Sequence, residues 1–347
     1  MRKLASIQRV KSVDDIYRRG ERADNVVLVK FDDIAWQCVG KRGEFAPGDL
    51  CVYVEVSTAL PENEYFAFMA KSKYKVKTVK LWGALSQGLP LPLSIFNEDW
   101  VVDVPNDFTV GLDVTNCFGI KRVEDLLPVS FGGEQAGLFP THLLPKTDED
   151  RIQSYPQLLE QIRGEEVFAT VKLDGTSCTV LNSPDGGLMV CSRNFAMKDG
   201  DNVYWRVIKE TPIPSVLAMP EYKHLYFQGE IVGTGIQGNP LALSGQEFYV
   251  FNIIDSENGN RPFSQIEIME FCYEHKIKFA PVFKYWKVFD ETVESLLEML
   301  SGVTYQETKN PMEGIVVRPA TPTFSVKFGK WFSFKVINND YLLKRGE

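Results

Sequence analysis

The pattern of apolar and polar residues divides the chain into two parts. In the first 120 residues, β-branched and aromatic residues form two runs typical of short strands, NVVLVKFDDIAWQCVG (25–40) and DLCVYVEVSTALP (49–61). The segment KRGEFAPG separates them with turn-forming residues, and YKVKTVKLWGALSQGLPLPLSIF (74–96) continues the pattern. Strands this short and this closely spaced predict a small β-barrel of the OB or SH3-like kind over residues 1–120.

Residues 121–164 differ from both flanking regions. They are rich in glycine, proline and charged residues, and their last part predicts a short helix that ends near Gly164. We therefore expect a linker between two domains in this part of the chain.

From residue 165 to residue 347 longer apolar strands are mixed with helices, which predicts an α+β domain. Ser264 is a suitable N-cap for the first of two helical patterns. The strand patterns are HLYFQGEIVG (224–233), EFYVFNIID (247–255) and EGIVVRP (313–319), and the helical patterns are FSQIEIMEFCYEHKI (263–277) and ETVESLLEMLSG (291–302).

Composition agrees with two folded domains. The 347 residues exceed what one compact core usually contains, and the apolar (44%) and aromatic (12%) fractions are typical of a globular protein. The net charge of −8 disfavours a protein that coats nucleic acid by bulk charge, although it is compatible with a local basic groove.

Cysteine usage and hydropathy bear on where the protein resides. Its six cysteines are scattered, without a CxxC pair or a histidine cluster, so neither a zinc site nor a disulfide framework is expected. No apolar run reaches the length of a membrane span, and the N-terminal MRKLASIQRVKSV lacks the apolar centre of a signal peptide. We expect an intracellular protein, cytoplasmic or nuclear, that does not bind a membrane.

Lys172 ends the apolar strand pattern VFATVK (167–172), and Asp174 and Gly175 follow closely. A solvated lysine beside a turn would by itself explain this segment. A lysine that attacks phosphorus must be uncharged, however, and burial against an apolar strand or a nearby cation lowers the pKa of an amine. Lys172 is therefore a candidate nucleophile, with Lys335 or a metal ion as the cation, and Gly175 would let the turn pass close to a phosphate.

Three carboxylates, Asp174, Glu230 and Glu313, lie in separate segments of the core domain. Each of them alone is typical of a solvated residue at a strand end. Brought together by the fold, they would supply the hard oxygen ligands that Mg²⁺ or Mn²⁺ prefers, often with retained water. We therefore predict a metal site at these three residues.

Six segments of the core domain follow one another in an order that resembles a known superfamily. They are KLDG (172–175), CSRN (191–194), YFQGEIVG (226–233), YVFNII (249–254), EGIVVR (313–318) and SFKVIN (333–338). Together they resemble motifs I, Ia, III, IIIa, IV and V of the covalent nucleotidyltransferases, which include RNA ligases, DNA ligases and mRNA capping enzymes. The resemblance covers residues 165–340 and implies an ATP-grasp-like ligase core of antiparallel sheets with helices.

This resemblance implies roles for individual residues. Lys172 would form a covalent lysyl-AMP, and Arg193 and Glu230 would contact the ribose. Phe251 and Val316 would cover the two faces of the adenine, although both lie in apolar strands and suit a place in the core as well. The implied nucleotide-binding residues are Val171, Asp174, Arg193, Glu230, Phe251, Val316 and Lys335, and the implied catalytic residues are Lys172 and Lys335.

Two positions depart from the resemblance around Lys335, which would bind the α-phosphate and offset the charge growing on it. Related ligases usually carry a lysine where this chain has Ser333, and Lys327 or Lys330 would have to replace it. Some phage-type RNA ligases carry an asparagine where this chain has Ser177, so a contact to the 5′-phosphate is expected to be weaker or absent.

The order of the domains distinguishes the branches of the superfamily. In DNA ligases and capping enzymes an OB domain follows the core, whereas here a β-rich module precedes it and the chain ends about a dozen residues after Lys335. This layout resembles RNA ligases with an N-terminal OB-fold module, which join 3′-OH and 5′-phosphate ends with ATP. We expect a monomer that acts on RNA ends at a nick in a duplex. A GTP-using capping-type guanylyltransferase, a DNA ligase and a non-catalytic RNA-binding relative are the alternatives.

Basic residues outside the core motifs are candidate phosphate contacts. The segment FPTHLLPKTDEDRIQ (139–153) resembles a stretch of RNA ligases in which Lys146 and Arg151 would bind a terminal phosphate or pyrophosphate, although a solvated helix start explains them equally. In KSKYKVKTVKLW (71–82), Lys73, Lys75 and Lys77 alternate, which on a strand places them on one face. Such a strip suits an RNA backbone, but lysines also protect edge strands from aggregation.

Overall fold

The computed structural model describes residues 3–123, 133–306, 308–326 and 328–346. These residues form two compact units. The first contains residues 3–123, 152–157 and 339–346, and the second contains residues 133–151 and 158–338. Residues of the expected linker occur in both units, and the predicted domain bounds (1–120, 121–164 and 165–347) stay a prediction.

Most of the strands are short. The first unit contains β1 (Ala5–Arg18), β2 (Glu21–Phe31), β3 (Gln37–Lys41), β4 (Leu50–Val54), β5 (Thr58–Ala59), β6 (Lys75–Val76), β7 (Thr78–Leu81), β8 (Ala84–Gln87), β9 (Leu89–Pro92) and β10 (Lys121–Arg122). The second contains β11 (Gln135–Leu138), β12 (Asp150–Arg151), β13 (Val167–Lys172), β14 (Thr176–Asn182), β15 (Leu188–Cys191), β16 (Phe195–Met197), β17 (Leu225–Gly233), β18 (Gln246–Asp255), β19 (Arg261–Pro262), β20 (Val282–Trp286), β21 (Gly314–Pro319), β22 (Phe324–Ser325), β23 (Lys330–Trp331) and β24 (Phe334–Ile337).

The described residues also form helices, although fewer than strands. The presence of both confirms the predicted α+β class. The helices are α1 (Val203–Lys209), α2 (Ile213–Leu217), α3 (Gln265–Glu274) and α4 (Val293–Leu300) in the second unit, and α5 (Asn339–Arg345) in the first. No helix in the described part of the chain is long and apolar enough to cross a membrane.

The first unit is built on a five-stranded antiparallel sheet in the order β3-β2-β1-β4-β9. Residues 5–9 of β1 pair with β4, and residues 10–18 pair with β2 with two shifts of register. Such irregularities bend a strand, so that one long strand takes part in both halves of the sheet. The apolar pattern does not predict β1, because the second half of this strand is mostly polar.

Two apolar clusters form the core of the first unit. Each large apolar side chain that is fully buried in these clusters stabilises the fold by about 1.5–3 kcal/mol relative to an exposed one. One cluster includes Ile7, Val52, Phe66, Ile95 and Phe118, and the other includes Val29, Trp36, Cys38 and Tyr53. The Trp36 Nε1–H donates a hydrogen bond to Ser154 Oγ at 2.9 Å, which attaches residues 152–157 to this unit.

The lysines of residues 71–82 do not lie on one strand, contrary to the prediction. Lys71 belongs to a 3-10 helix (Ala67–Ser72), and Lys73 and Tyr74 have positive φ angles of 54° and 56°. This left-handed backbone turns the chain, so that β6 contains Lys75 but not Lys73 or Lys77. Contact of Lys73, Lys75 and Lys77 with RNA stays a prediction. The three lysines do not form a strip on one face of a strand, so the contact cannot rest on such a strip.

The second unit contains two larger sheets. The first has seven strands in the order β11-β16-β15-β14-β17-β18-β19, and the second has five in the order β12-β24-β21-β13-β20. Neighbouring strands are antiparallel apart from β12 and β24. Buried side chains from β17 and β18, among them Phe227, Ile231 and Val250, pack with α1, α2 and α3 into one apolar core.

The two predicted helical patterns, residues 263–277 and 291–302, are confirmed as α3 and α4, and each helix begins at a capping residue. Ser264 Oγ accepts from the Glu267 N–H at the start of α3, and the Glu267 carboxylate accepts from the Ser264 N–H, which is a capping box. The helix expected before Gly164 is replaced by two 3-10 segments, Ile152–Ser154 and Pro156–Gln161. Proline fixes φ and lacks an N–H, so Pro156 suits the start of a short helical segment.

Gly175 is required by the packing of the second unit. A Cβ at this position would collide with the Ile231 carbonyl oxygen and crowd the Val232 and Glu230 side chains. The turn after β13 therefore passes directly against β17. The expected reason, close approach to a phosphate, is not needed to explain this glycine.

Candidate active site

Lys172 and Glu313 form an ion pair where β13 and β21 meet. In the antiparallel register Lys172 lies opposite Gly314, which places Glu313 beside it. The Lys172 Nζ lies 2.7 Å from Glu313 Oε1, and the two side chains are 26% and 14% exposed. The Lys172 side chain is therefore partly exposed, and its amine is held against Glu313.

Tyr305 ties the two partners of this ion pair together, and no sequence motif pointed to it. Its hydroxyl donates a hydrogen bond to the Lys172 carbonyl oxygen at 2.9 Å and accepts one from the Glu313 N–H at 3.1 Å. Burial raises the pKa of Tyr305, so the hydroxyl keeps the proton that it donates. The side chain is buried, and its two bonds fix the backbone on either side of the Lys172–Glu313 contact.

The pKa of Lys172 is raised, whereas the sequence analysis expected it to be lowered. Burial does lower it, but the Glu313, Glu230 and Asp174 carboxylates together outweigh burial and favour the charged amine. The apolar strand and a nearby cation, Lys335 or a metal ion, were expected to lower it, but the fold assembles negative charge around the amine. In this state Lys172 is a cation held by carboxylates.

The pKa values of Glu230 and Glu313 are themselves raised, first by burial and then by their negative neighbours. Burial, opposed by Lys172 and then reinforced by Glu313 and Asp174, raises the pKa of Glu230 to about 8. Burial likewise raises the pKa of Glu313, although Lys172 opposes it. Each carboxylate therefore favours any cation that enters the cluster.

The predicted metal site is not a ready-made cage of three ligands. Among residues 3–123, 133–306, 308–326 and 328–346, no three His, Cys, Asp or Glu side chains are grouped closely enough to hold a metal ion. Asp174, Glu230 and Glu313 instead surround the Lys172 amine. The oxygen donors still suit Mg²⁺ or Mn²⁺, since Mg²⁺ usually takes one or two carboxylates together with water and substrate phosphates.

The raised pKa of Glu230 predicts how stability depends on pH. This carboxyl titrates near 4.5 without perturbation and near about 8 in the folded protein, so the folded state binds the extra proton between these values. Stability is therefore lost as pH rises from about 5 to about 9. We expect Glu230→Gln to remove this loss in thermal unfolding followed by circular dichroism, with EDTA present and nucleotide absent.

Glu247→Gln is the matched control for this experiment. Burial raises the pKa of Glu247, but hydrogen bonds from Lys278 and Tyr249 outweigh burial and hold it below its usual value. Its contribution is therefore constant across the same pH interval. Parallel curves for the parent protein and Glu230→Gln would contradict the assignment.

Asp148 links two of the predicted nucleotide-binding residues. Its carboxylate oxygens lie 3.6 Å from the Arg193 guanidinium and 3.5 Å from the Lys335 amine. Lys335 lies on β24, opposite Val316 in the neighbouring β21. The structure thus brings Arg193 and Lys335 to one place, where Asp148, an acid outside the motifs, contacts both.

The next two acidic residues make similar contacts. Glu149 accepts a hydrogen bond from the Ser333 hydroxyl and lies 3.5 Å from the Arg318 guanidinium. Asp150 pairs with the Lys330 amine at 2.7 Å. Lys330 therefore already has an ion-pair partner. Lys327, the other candidate to replace the lysine that relatives carry at position 333, lies outside the described residues. The run of three acids was the sequence signal for these contacts.

Phe251 borders a cavity of about 450 Å³ in the second unit. Its carbonyl oxygen accepts a hydrogen bond from Arg318, which also lines the cavity. Lys146 and Ser333 contribute further polar groups, whereas Lys172 is not among the lining residues. The aromatic ring predicted to stack on adenine is thus accessible to a ligand, and the stacking role stays a prediction.

The other predicted residues have defined places. Val171 lies in β13, where its N–H donates to the Pro281 carbonyl, and Val316 is half-buried in β21. Arg151 is buried in β12 opposite Lys335, so it is not part of a solvated helix start. Lys146 is exposed and donates a hydrogen bond to Asn194 Oδ1 at 2.8 Å.

Comparison with known proteins agrees with this arrangement. The sequence pattern of the RNA ligase family matches residues 165–337, and that of an OB-fold domain matches residues 4–93. None of the curated proteins compared with the chain matches it.

Solved structures of the Naegleria gruberi RNA ligase are similar over almost the whole chain. A variant with ATP and Mn is 31% identical, with a TM-score of 0.83 and 98% of each chain covered. The same ligase with pyrophosphate is 31% identical, with a TM-score of 0.84, covering 99% of this chain and 98% of its own. A variant with AMP and Mn is 31% identical, with a TM-score of 0.84 and 98% of each chain covered. The chain therefore belongs to the RNA ligase family, with an OB-fold domain before its ligase core.

Proposed function

We propose that the protein is an ATP-dependent RNA ligase that seals 3′-OH and 5′-phosphate ends. The observation that carries this proposal is Lys172 at the end of β13, whose amine is set among the Glu313, Glu230 and Asp174 side chains. The Naegleria gruberi ligase structures with ATP, with AMP and with pyrophosphate support it, since these molecules are the substrate and the two parts into which it is divided.

In the first step the Lys172 amine attacks the α-phosphorus of ATP. Lys172, a cation in the free protein, first gives up one proton to solvent. A P–N bond then forms as the P–O bond to pyrophosphate breaks, and the nitrogen loses a second proton. The Glu313 carboxylate, 2.7 Å from Nζ, is the nearest group that can accept this proton. Lys335 and Arg193 offset the charge on the phosphates, which replace Asp148 as their partner.

Asp174, Glu230 and Glu313 would hold a divalent cation, Mg²⁺ or Mn²⁺. The Naegleria gruberi structures with Mn support this choice. Bound there, such an ion would supply positive charge that offsets the carboxylates, and burial would then lower the pKa of Lys172.

In the later steps AMP is transferred from Lys172 to a 5′-phosphate, and a 3′-hydroxyl then attacks the activated end and releases AMP. Lys146 and Arg151 would contact the terminal phosphate or the pyrophosphate, and Phe251 and Val316 would enclose the adenine. Lys73, Lys75 and Lys77 would contact the RNA backbone. We infer a monomer that acts on a nick in a duplex.

Labelling with each α-labelled nucleoside triphosphate tests this function. We expect covalent label from ATP only, followed by sealing of a nick whose 3′-OH strand is RNA. Label from GTP would favour a capping-type guanylyltransferase, and equal sealing with DNA on the 3′-OH side would favour a DNA ligase. No label from any triphosphate would indicate a non-catalytic relative.

A further inference from the structure

The hairpin of β7 and β8 in the first unit ends in an unusual turn. Leu81 pairs with Ala84, which leaves a loop of two residues, Trp82 and Gly83. Both have positive φ angles, 53° and 88°, as in a type I′ turn. Asn-Gly is the preferred sequence for such a turn, whereas a bulky residue at positive φ is strained. A tryptophan here costs stability, which points to a use outside the fold.

Trp82 is not buried in compensation for this strain. Its side chain is 43% exposed, and the neighbouring Leu81 and Val79 are 44% and 37% exposed. Within the described residues the indole ring has neither an aromatic nor a cationic partner. The tip of the hairpin thus presents a flat apolar group to solvent.

The charge beside this tip identifies the class of partner. Residues 71–82 contain five lysines and no acidic residue, in a protein whose net charge is −8. Lys80, two positions before Trp82, is exposed. Lysines attract phosphates and an exposed ring stacks on a base, a combination that matches single-stranded nucleic acid. OB folds, to which this part of the chain belongs, bind oligonucleotides through their loops and one sheet face.

We propose that the β7–β8 hairpin docks a single-stranded stretch of the RNA substrate that flanks the duplex carrying the nick, with Trp82 stacked on an unpaired base and Lys80 on the adjacent phosphate. This inference rests on the proposed function, because it assigns a contact to the RNA of that function. The strain at Trp82 is retained because the ring at the apex is needed for binding.

Binding of a fluorescein-labelled RNA with a single-stranded tail tests the inference. Trp82→Asn creates an Asn-Gly turn, so we expect a higher unfolding temperature together with RNA affinity that is roughly 5- to 100-fold weaker. Trp82→Phe keeps an aromatic ring and should keep most of the affinity. Lys80→Ser should reduce the slope of log affinity against log salt by about one.

Tyr273→Ala is the matched control, since Tyr273 is an 86% exposed aromatic residue in the second unit. It should bind RNA like the parent protein. Unchanged affinity in Trp82→Asn would overturn the inference and indicate that the patch serves another macromolecule. Equal losses in Trp82→Asn and Trp82→Phe would overturn the stacking role. Labelling of the parent protein by ATP reports separately on the proposed function, so the two failures are distinguishable.

Discussion

Replacing Lys172 by alanine is expected to abolish covalent labelling of the protein by α-labelled ATP. This amine is flanked by Glu313 at 2.7 Å and lies within the influence of Glu230 and Asp174. Without it no P–N bond can form, so the loss should be complete rather than partial. The measurement is radioactivity that stays with the protein after denaturing electrophoresis.

Two further variants separate chemistry from folding. Lys172→Arg keeps a cation beside Glu313, but a guanidinium does not lose its proton, so the variant should fold and still not label. Lys284→Ala is the matched control, because Lys284 lies on the adjacent β20 and also pairs with a glutamate, Glu291, at 3.5 Å. It should label like the parent. Full labelling of Lys172→Ala would show that another residue is the nucleophile.

Lys335→Met is expected to slow labelling by about 10²- to 10³-fold, the usual cost of removing a group that stabilises charge in a transition state. The Lys335 side chain is only 15% exposed and lies 3.5 Å from Asp148. If phosphates replace Asp148, this lysine meets the charge that develops on the α-phosphate. Single-turnover labelling at saturating ATP measures the effect on the chemical step.

Lys330→Met is the control, and it also addresses the serine at position 333. The Lys330 amine is paired with Asp150 at 2.7 Å, so its removal should affect labelling far less. An equal loss in Lys330→Met would show that Lys330 replaces the lysine that relatives carry at the position of Ser333. An unchanged rate in Lys335→Met would remove Lys335 from the mechanism.

The acidic residues 148–150 compensate the positive charges of the basic side chains at the site before a nucleotide binds. Asp148 holds Arg193 and Lys335, Glu149 holds Ser333 and Arg318, and Asp150 holds Lys330. An incoming triphosphate offers the same charge in a more concentrated form. If a triphosphate displaces these acids, as we propose, the positive side chains would stay compensated throughout.

The sequence by itself determined the fold class, the ligase family and the identity of the candidate nucleophile. These conclusions rest on local patterns. Strand and helix periodicity, the Ser264 cap and the order of six motifs can each be recognised within short segments. The family is confirmed, whereas the roles of individual residues stay predictions that the variants above would test.

Only the tertiary structure decided the partners and the protonation of the site. Tyr305 and Lys172 are 133 residues apart in the chain, and Ser333 and Glu149 are 184 apart, so no local pattern links them. The pKa of Lys172 is a balance between burial and three carboxylates, and even its direction depends on their distances. The lysines of residues 71–77 likewise alternate in the sequence, but a left-handed turn at Lys73 and Tyr74 breaks the strand. The type of each residue can be read from the sequence. The electrostatic interactions and the direction of the chain depend on contacts that only the folded protein forms.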